Sequence, residues 1–166
     1  MAGSYSVGKT SLIVRYCDDA FSDEYHQTIG ANFYIKEIDS QRLQNTEDSL
    51  KLFVWDICGQ IDKLLVTEYY FQGAAAAIIV FDLTKKQTFD NIDFWINTIK
   101  SLSGDIPFVI VGNKTDLVKA REVPKELGEQ IAAKYSVPYF EASAKENSNV
   151  DLIFSYISDK IMEKVK

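Results

Sequence analysis

Four stretches of this chain combine reactive side chains with glycines at spacings that suit phosphate and base chemistry. Residues 3 to 10 read Gly3-Ser4-Tyr5-Ser6-Val7-Gly8-Lys9-Thr10. In a Gly-x-x-x-x-Gly-Lys-Thr pattern, successive backbone N–H groups curl into an anion cradle. The lysine reaches the outer phosphates and the threonine hydroxyl ligates Mg²⁺. A helix starting near Lys9 adds its positive end to the same place. Asp56-Ile57-Cys58-Gly59-Gln60 offers a carboxylate for Mg²⁺, usually through water, and a glycine whose N–H can approach a terminal phosphate. Its glutamine can orient an attacking water. On its own, Asp-x-x-Gly is equally a common turn. Asn113-Lys114-Thr115-Asp116 carries a carboxylate able to accept from both the N1–H and the 2-amino group of guanine. Adenine offers neither donor, so the wrong base leaves a buried charge unpaired, and discrimination of roughly 10⁴ is attainable. The stem of Lys114 can lie along the base plane. Ser143-Ala144-Lys145 can offer backbone N–H groups to the base oxygen, and Thr28 can supply a second hydroxyl to Mg²⁺. Either of these, alone, also reads as plain loop.

The elements around these stretches alternate between strand-like and helix-like. Phe33–Ile38 and Leu50–Trp55 read as strands joined by a long polar hairpin loop, Asp39–Ser49. Ala76–Phe81, Phe108–Val111 and, more weakly, Val137–Phe140 are short apolar runs of the kind found in buried parallel strands. Phe89, Ile92, Ile96 and Ile99 recur at helical steps, as do Val150, Ile153, Phe154, Ile157 and Ile161. Ser148-x-x-Asp151 predicts a capping box for the last helix. The expectation is an α/β fold with a mostly parallel sheet and helices on both faces. In such sheets ligands bind beyond the carboxyl ends of the strands. Asp56, Asn113 and Ser143 each follow a strand-like run, so loops distant in sequence can build one pocket.

The 166 residues suit a single domain, 1–166, with a sizeable core. A net charge of −6 argues against a general nucleic-acid binder, so an anionic ligand must be held by local donors and a metal. One histidine and two cysteines, Cys17 and Cys58, give no metal-binding spacing and fit a reduced, intracellular setting. There is no signal peptide, and the longest apolar stretch, Ala74–Phe81, is too short to span a bilayer.

These motifs, in this order, resemble a small GTPase of the Ras superfamily, specifically of the Rab type. Thr28-Ile29-Gly30-Ala31-Asn32-Phe33, Trp55-Asp56, Tyr70-Phe71-Gln72-Gly73-Ala74 and Glu141-Ala142-Ser143-Ala144-Lys145 add to the likeness. The resemblance implies a phosphate-loop NTPase fold, GTP/GDP and Mg²⁺ as cofactors, and slow GTP hydrolysis that needs a partner activator. It assigns Ser6, Val7, Gly8, Lys9, Thr10 and Ser11 to the phosphates, and Thr10, Thr28 and Asp56 to Mg²⁺. Phe21 would pack on the guanine edge and Tyr25 would close over the phosphates. Thr28 and Gly59 would sense the γ-phosphate, and its loss would release both loops. Asn113, Lys114, Asp116, Ser143, Ala144 and Lys145 would hold the base, while Gln60 and Lys9 would serve the reaction. Phe33, Trp55 and Tyr70 match an aromatic trio read by effectors; ordinary packing explains such a trio equally well. Effectors, exchange factors and activating proteins would meet the Thr28–Phe33 and Gly59–Tyr70 regions. The implied role is a switch in vesicle traffic, cytoplasmic, with peripheral membrane association a property of a longer form. A guanine-nucleotide-dependent scaffold with negligible hydrolysis is the rival reading. An ATP-using enzyme is disfavoured by Asn113 and Asp116.

Four features depart from the family pattern. Only Met1 and Ala2 precede the phosphate loop, so the family's opening strand is missing from between Leu50–Trp55 and Ala76–Phe81. Each orphaned backbone group would cost about 1–3 kcal/mol. A gap, a substitute strand or a sheet closed up at that place is therefore predicted, with a shortened form of a longer chain as the plain explanation. Tyr5 and Ser6 stand where small residues are usual. Ile57-Cys58 and Ile61-Asp62-Lys63 replace the usual Thr-Ala and Glu-Arg-Phe, altering the partner surface. The chain ends at Lys166 without the cysteine-bearing tail that takes prenyl groups in Rabs, so membrane attachment is not supported by these residues.

Overall fold

A computed structural model describes residues 1–24, 26–38, 50–60 and 68–165. Helix α1 (Lys9–Asp18) leads to strands β1 (Ala31–Ile38) and β2 (Leu50–Ile57), then β3 (Ala77–Asp82). A short helix α2 (Lys86–Asp90) and a longer α3 (Ile92–Ser103) precede β4 (Phe108–Asn113). Helix α4 (Lys125–Tyr135), β5 (Tyr139–Ala142) and α5 (Val150–Val165) complete the order. Strands β3, β4 and β5 form a parallel sheet in that order, with Asp82 opposite Asn113 and Asn113 opposite Ala142. Strand β1 runs antiparallel to β2, placing Phe33 opposite Trp55 and Asn32 opposite Asp56.

The continuous apolar run of β3 is explained by cover on both faces. Ile78 and Val80 join Leu12, Ile13, Phe154 and Ile157 in one core layer. Their neighbours Ile79 and Phe81 point the other way, into a layer with Trp95, Ile96 and Ile99 of α3. The mixed α/β architecture expected from the sequence is thereby present.

The place of the opening strand is occupied by two residues. The Met1 amino group donates to Trp55 O, and Ile57 N–H donates back to Met1 O at 3.4 Å. On the other side Ala2 N–H donates to Ile78 O and Val80 N–H to Ala2 O, each at 2.9 Å. Met1 and Ala2 therefore act as a minimal central strand, parallel to β3 through an Ala2–Ile79 bridge. Beyond them lies a cavity of about 320 Å³ between β2 and residues 74–78, floored by Ile99 on one face and Phe154, Ile157 and Ile161 on the other. Of the three predicted outcomes, a substitute strand and a gap coexist.

Several boundaries differ from the sequence reading. The ladder carries β2 on to Ile57 and β4 on to Asn113, so Asp56 and Asn113 are strand residues rather than the first loop residues. The run Val137–Phe140 becomes Tyr139–Ala142, because Pro138 has no N–H to give and serves instead as an acceptor for Ile110. The helical pattern from Phe89 to Ile99 is split at Asn91 into α2 and α3. The capping box does not form. Ser148 exchanges backbone hydrogen bonds with Ser143 instead, and the first turn of α5 is closed by Ile153 N–H on Asn149 O. Helix α4, which the periodicity argument passed over, begins directly after Pro124. The hairpin loop Asp39–Ser49 and the Ile61-Asp62-Lys63 departure lie outside the described residues. Among the described residues no helix is long and apolar enough to cross a membrane.

Candidate functional site

The loop Gly3–Gly8 earns its shape from three left-handed residues, Gly3 (φ 135°), Ser6 (φ 61°) and Gly8 (φ 92°). Gly8 sits at the start of α1, and a Cβ there would collide with the Asn113 amide nitrogen. Lys9 folds back under the loop, donating from Nζ to Gly3 O and Ser4 O at 2.9 Å each. Burial pushes its ammonium down to about 8, against the opposing pull of Asp56 and Cys58. Gly59 lies directly on the loop backbone, where a Cβ would overlap Ser4, Tyr5 and Gly3. That close approach is why no other residue fits at 59.

Beside the loop, three oxygens converge. Thr10 Oγ1 donates to Asp56 Oδ2, Thr28 Oγ1 reaches the same oxygen at 3.2 Å, and the two hydroxyls are 3.2 Å apart. Asp56 is fully buried, and its Oδ1 has no hydrogen-bond partner. A buried carboxylate oxygen left open beside two hydroxyls is a hard-oxygen set suited to Mg²⁺. The observed residues thus fit the expected ion.

At the far end, Asn113 Nδ2 donates to Val7 O and Lys114 Nζ to Ser6 O, both at 2.9 Å. Lys114 also pairs with the buried Asp82 at 2.6 Å. Ser143 donates its hydroxyl to Asp116 Oδ1 at 2.6 Å, and Ala144 N–H leans on Asn113 Oδ1 at 3.4 Å. Lys145 pairs with Asp23 at 3.0 Å and stands 5.9 Å above the Phe21 ring. A single cavity of about 430 Å³ runs between the two ends. Ser6, Gly8, Lys9, Thr10 and Ser11 line one part of it, Thr28, Gly59 and Gln60 another. Phe21, Asn113, Lys114, Asp116, Ala144 and Lys145 line the rest.

Three expected site residues stand behind this wall. Val7 is fully buried in the core and offers only its backbone, Ser143 supports Asp116, and Asp56 supports the hydroxyls. Tyr25 lies outside the described residues.

The sequence profile of the Ras family matches residues 1–163 of the chain. The chain is a Rab-like member of the Ras family. It is 38% identical to Ras-related protein SEC4 of Candida albicans over 99% of its own length and 76% of the relative's. It is likewise 38% identical to Ras-related protein Rab-8B of Bos taurus, with 99% and 78% covered. Against Ras-related protein Rab-13 of Canis lupus familiaris the figures are 36%, 99% and 79%. The family's members are GTPases that use guanine nucleotide and Mg²⁺, and the buried oxygen set and the cavity-lining carboxylate of Asp116 in this Rab-like chain are compatible with both.

In the Rab-like fold the rings of the aromatic trio form one stripe. The Phe33 and Trp55 rings lie 4.8 Å apart and the Trp55 and Tyr70 rings 5.1 Å apart. Phe33 is 46% exposed and Trp55 39%, while Tyr70 is half-buried against the core layer that includes Ile57 and Phe71. Two supporting residues escaped the sequence reading. Asn91 reaches Ser4 Oγ at 3.2 Å, and Arg15 grips the backbone of the 144–145 loop. Neither belongs to a chemical motif; only a helical position beside the loop could have pointed to Arg15.

Proposed function

We propose that this Rab-like chain binds GTP and GDP with Mg²⁺, hydrolyses GTP slowly, and acts as a switch in intracellular vesicle traffic. One observation carries the reading: Lys9 and Asp116 open on the same cavity, a phosphate cradle at one end and a guanine-reading carboxylate at the other. In this reading the backbone from Ser6 to Ser11 wraps the phosphates, and Lys9 meets the outer ones. Its raised acidity is relieved once an anion pairs with it. Thr10, Thr28 and Asp56 hold Mg²⁺, which when bound neutralises charge on the phosphate oxygens. Phe21 packs on the base edge, and the backbone of Ala144 and Lys145 faces the base oxygen, with Ser143 behind them orienting Asp116. Asn113 and Lys114 brace that end against the phosphate loop.

Hydrolysis is an in-line attack of water on the γ-phosphate. The Gln60 side-chain oxygen is buried and has no partner. It is free to accept a hydrogen bond from the attacking water and hold its lone pair toward phosphorus. Among the described residues no arginine lines the cavity. Intrinsic turnover is therefore slow, and an activator inserting one would add roughly 10³–10⁵ in rate. The loops carrying Thr28 and Gly59 sense the γ-phosphate, and the Phe33–Trp55–Tyr70 stripe between them is read by effectors. Exchange factors and activators meet the same Thr28–Phe33 and Gly59–Tyr70 regions, in the cytoplasm.

A scaffold with negligible hydrolysis is the second reading. It is favoured by Tyr5, which is 58% exposed and lines the cavity together with Gln60. Denaturing the purified protein and quantifying the nucleotide released tests the first claim. About one guanine nucleotide per chain is expected; adenine nucleotide, or none, overturns it. Phosphate release that is slow but lost in Gln60→Ala separates switch from scaffold.

A further inference from the structure

We infer that Arg15 is a positioning residue for the base: it clamps the loop after β5 to helix α1 and so fixes the span between the guanine-facing and phosphate-facing ends of the cavity. The inference rests on the guanine-nucleotide reading of that cavity. Arg15 stands near the end of α1, its side chain only 15% exposed. Its Nε donates to Ala144 O at 2.9 Å and Nη2 to Lys145 O at 3.2 Å. Its Nη1 donates to both the carbonyl and the carboxylate of Asp19, each at 3.0 Å. Asp19 itself ends the helix in a left-handed conformation, φ 49°, with its N–H returned to Arg15 O. Asn147, further along the same loop, leans on the Asp19 carboxylate at 3.5 Å.

The guanidinium is thus one planar fork serving acceptors on two segments more than a hundred residues apart in sequence. Three donors in fixed directions are required, which an ammonium on a flexible stem cannot reproduce. What hangs on the clamped loop is the base end of the cavity. Ser143 aims Asp116, Ala144 turns its N–H inward, and Lys145 stands over Phe21. What hangs on the other end of α1 is Lys9 and Thr10. The 113–114 segment has its own ties to the phosphate loop, through Val7 O and Ser6 O. Arg15 gives the 144–145 segment a corresponding tie to the helix. Without it, two carbonyls lose their donors, and the loop is held by the Ser143–Ser148 pair, the Ser143–Asp116 bond, the long Ala144–Asn113 bond and the exposed Lys145–Asp23 pair.

Release of fluorescent GDP from wild type, Arg15→Met and Arg15→Lys tests this. It is paired with affinities for GDP, GMP and the diphosphate of 2-aminopurine riboside, which lacks the base oxygen. Arg15→Met is expected to release GDP about tenfold faster, the loss typical of a charged hydrogen-bond donor. Its preference for GDP over the 2-aminopurine analogue should fall, while its preference for GDP over GMP, which reads the phosphate end, stays as in wild type. Arg15→Lys should lie between; it also carries the readout if the Met variant does not fold. Unchanged release, or an equal loss toward both bases, overturns the inference alone. Wild type that binds no guanine nucleotide overturns the reading beneath it.

Discussion

Ser143 donates its hydroxyl proton to Asp116 Oδ1 across 2.6 Å, from a fully buried position, while the aspartate itself lines the cavity. One carboxylate oxygen is therefore fixed by the protein, and the group's orientation is set before any base arrives. Replacing Asp116 by Asn turns one acceptor into a donor. Preference should then move from guanine to xanthine nucleotide, by a factor approaching the roughly 10⁴ available to a site with a mismatched buried partner. Ser143→Ala keeps the specificity but frees the carboxylate, weakening GDP binding about tenfold. Competition binding with GDP and XDP reads both outcomes; an Asp116→Asn variant that still prefers GDP removes the base-reading role.

Tyr5 projects from the phosphate loop into the mouth of the cavity that also holds Gln60. An arginine delivered by an activator must approach through that mouth. Activator-stimulated hydrolysis is expected to be weak in the native chain and to rise at least tenfold in Tyr5→Gly, with intrinsic hydrolysis little changed. Single-turnover GTP hydrolysis, with and without the catalytic domain of an arginine-supplying Rab activator, decides the matter. An identical stimulated rate in both proteins rules out steric blocking.

Gly128 lies inside α4, where glycine costs about 1 kcal/mol relative to alanine. Helix propensity alone predicts that Gly128→Ala stabilises. The ring of Tyr139 occupies the space a Cβ would take, held by its hydroxyl on Glu141 at 2.8 Å. Displacing that ring costs about 1–3 kcal/mol, so overpacking outweighs propensity and the variant should be less stable. Urea unfolding gives the sign directly.

The Met1 amino group is buried between β2 and β3. Burial lowers it to about 5 from the usual value of 8.0, Asp56 pulling it back up and Lys9 pushing it down. Between pH 8 and pH 5 the unfolded chain takes up a proton there and the folded chain does not. Stability should therefore fall as pH drops through that window and level off below it. Lys9, lowered from 10.5 to about 8, adds a second decline between pH 10.5 and 8 in the nucleotide-free protein. Urea midpoints at pH 5, 6.5 and 8 should show the slope, and acetylating the α-amine should flatten it. A slope that survives acetylation assigns it to other groups.

The residues that line this cavity were legible in sequence because backbone-cradle motifs are contiguous. Gly3 to Thr10 must lie together whatever the fold does, and Asn113 to Asp116 likewise. The parallel sheet was legible too, since the run from Ile78 to Phe81 is apolar on both faces. What escaped were features set by partners distant in sequence. Ser148 caps nothing because Ser143 claims its backbone, and α2 parts from α3 at Asn91, whose side chain reaches Ser4. Arg15 gave no motif because its acceptors are main-chain carbonyls, which any residue could provide.

The β1–β2 hairpin strands join the three-stranded sheet through the main chain of Met1 and Ala2 alone among the described residues, with an open slot alongside. With main-chain bonding this thin at the seam, the hairpin is the part expected to open first, although Ile38, Leu52 and Val54 share a core layer with Ile78 and Val80. Amide deuterium uptake should thus be biphasic, with residues 33–38 and 50–53 exchanging by subglobal opening while β3 and β4 wait for global unfolding. The hairpin strands carry the Phe33–Trp55 half of the aromatic stripe, so a partner that settles there would also staple the seam.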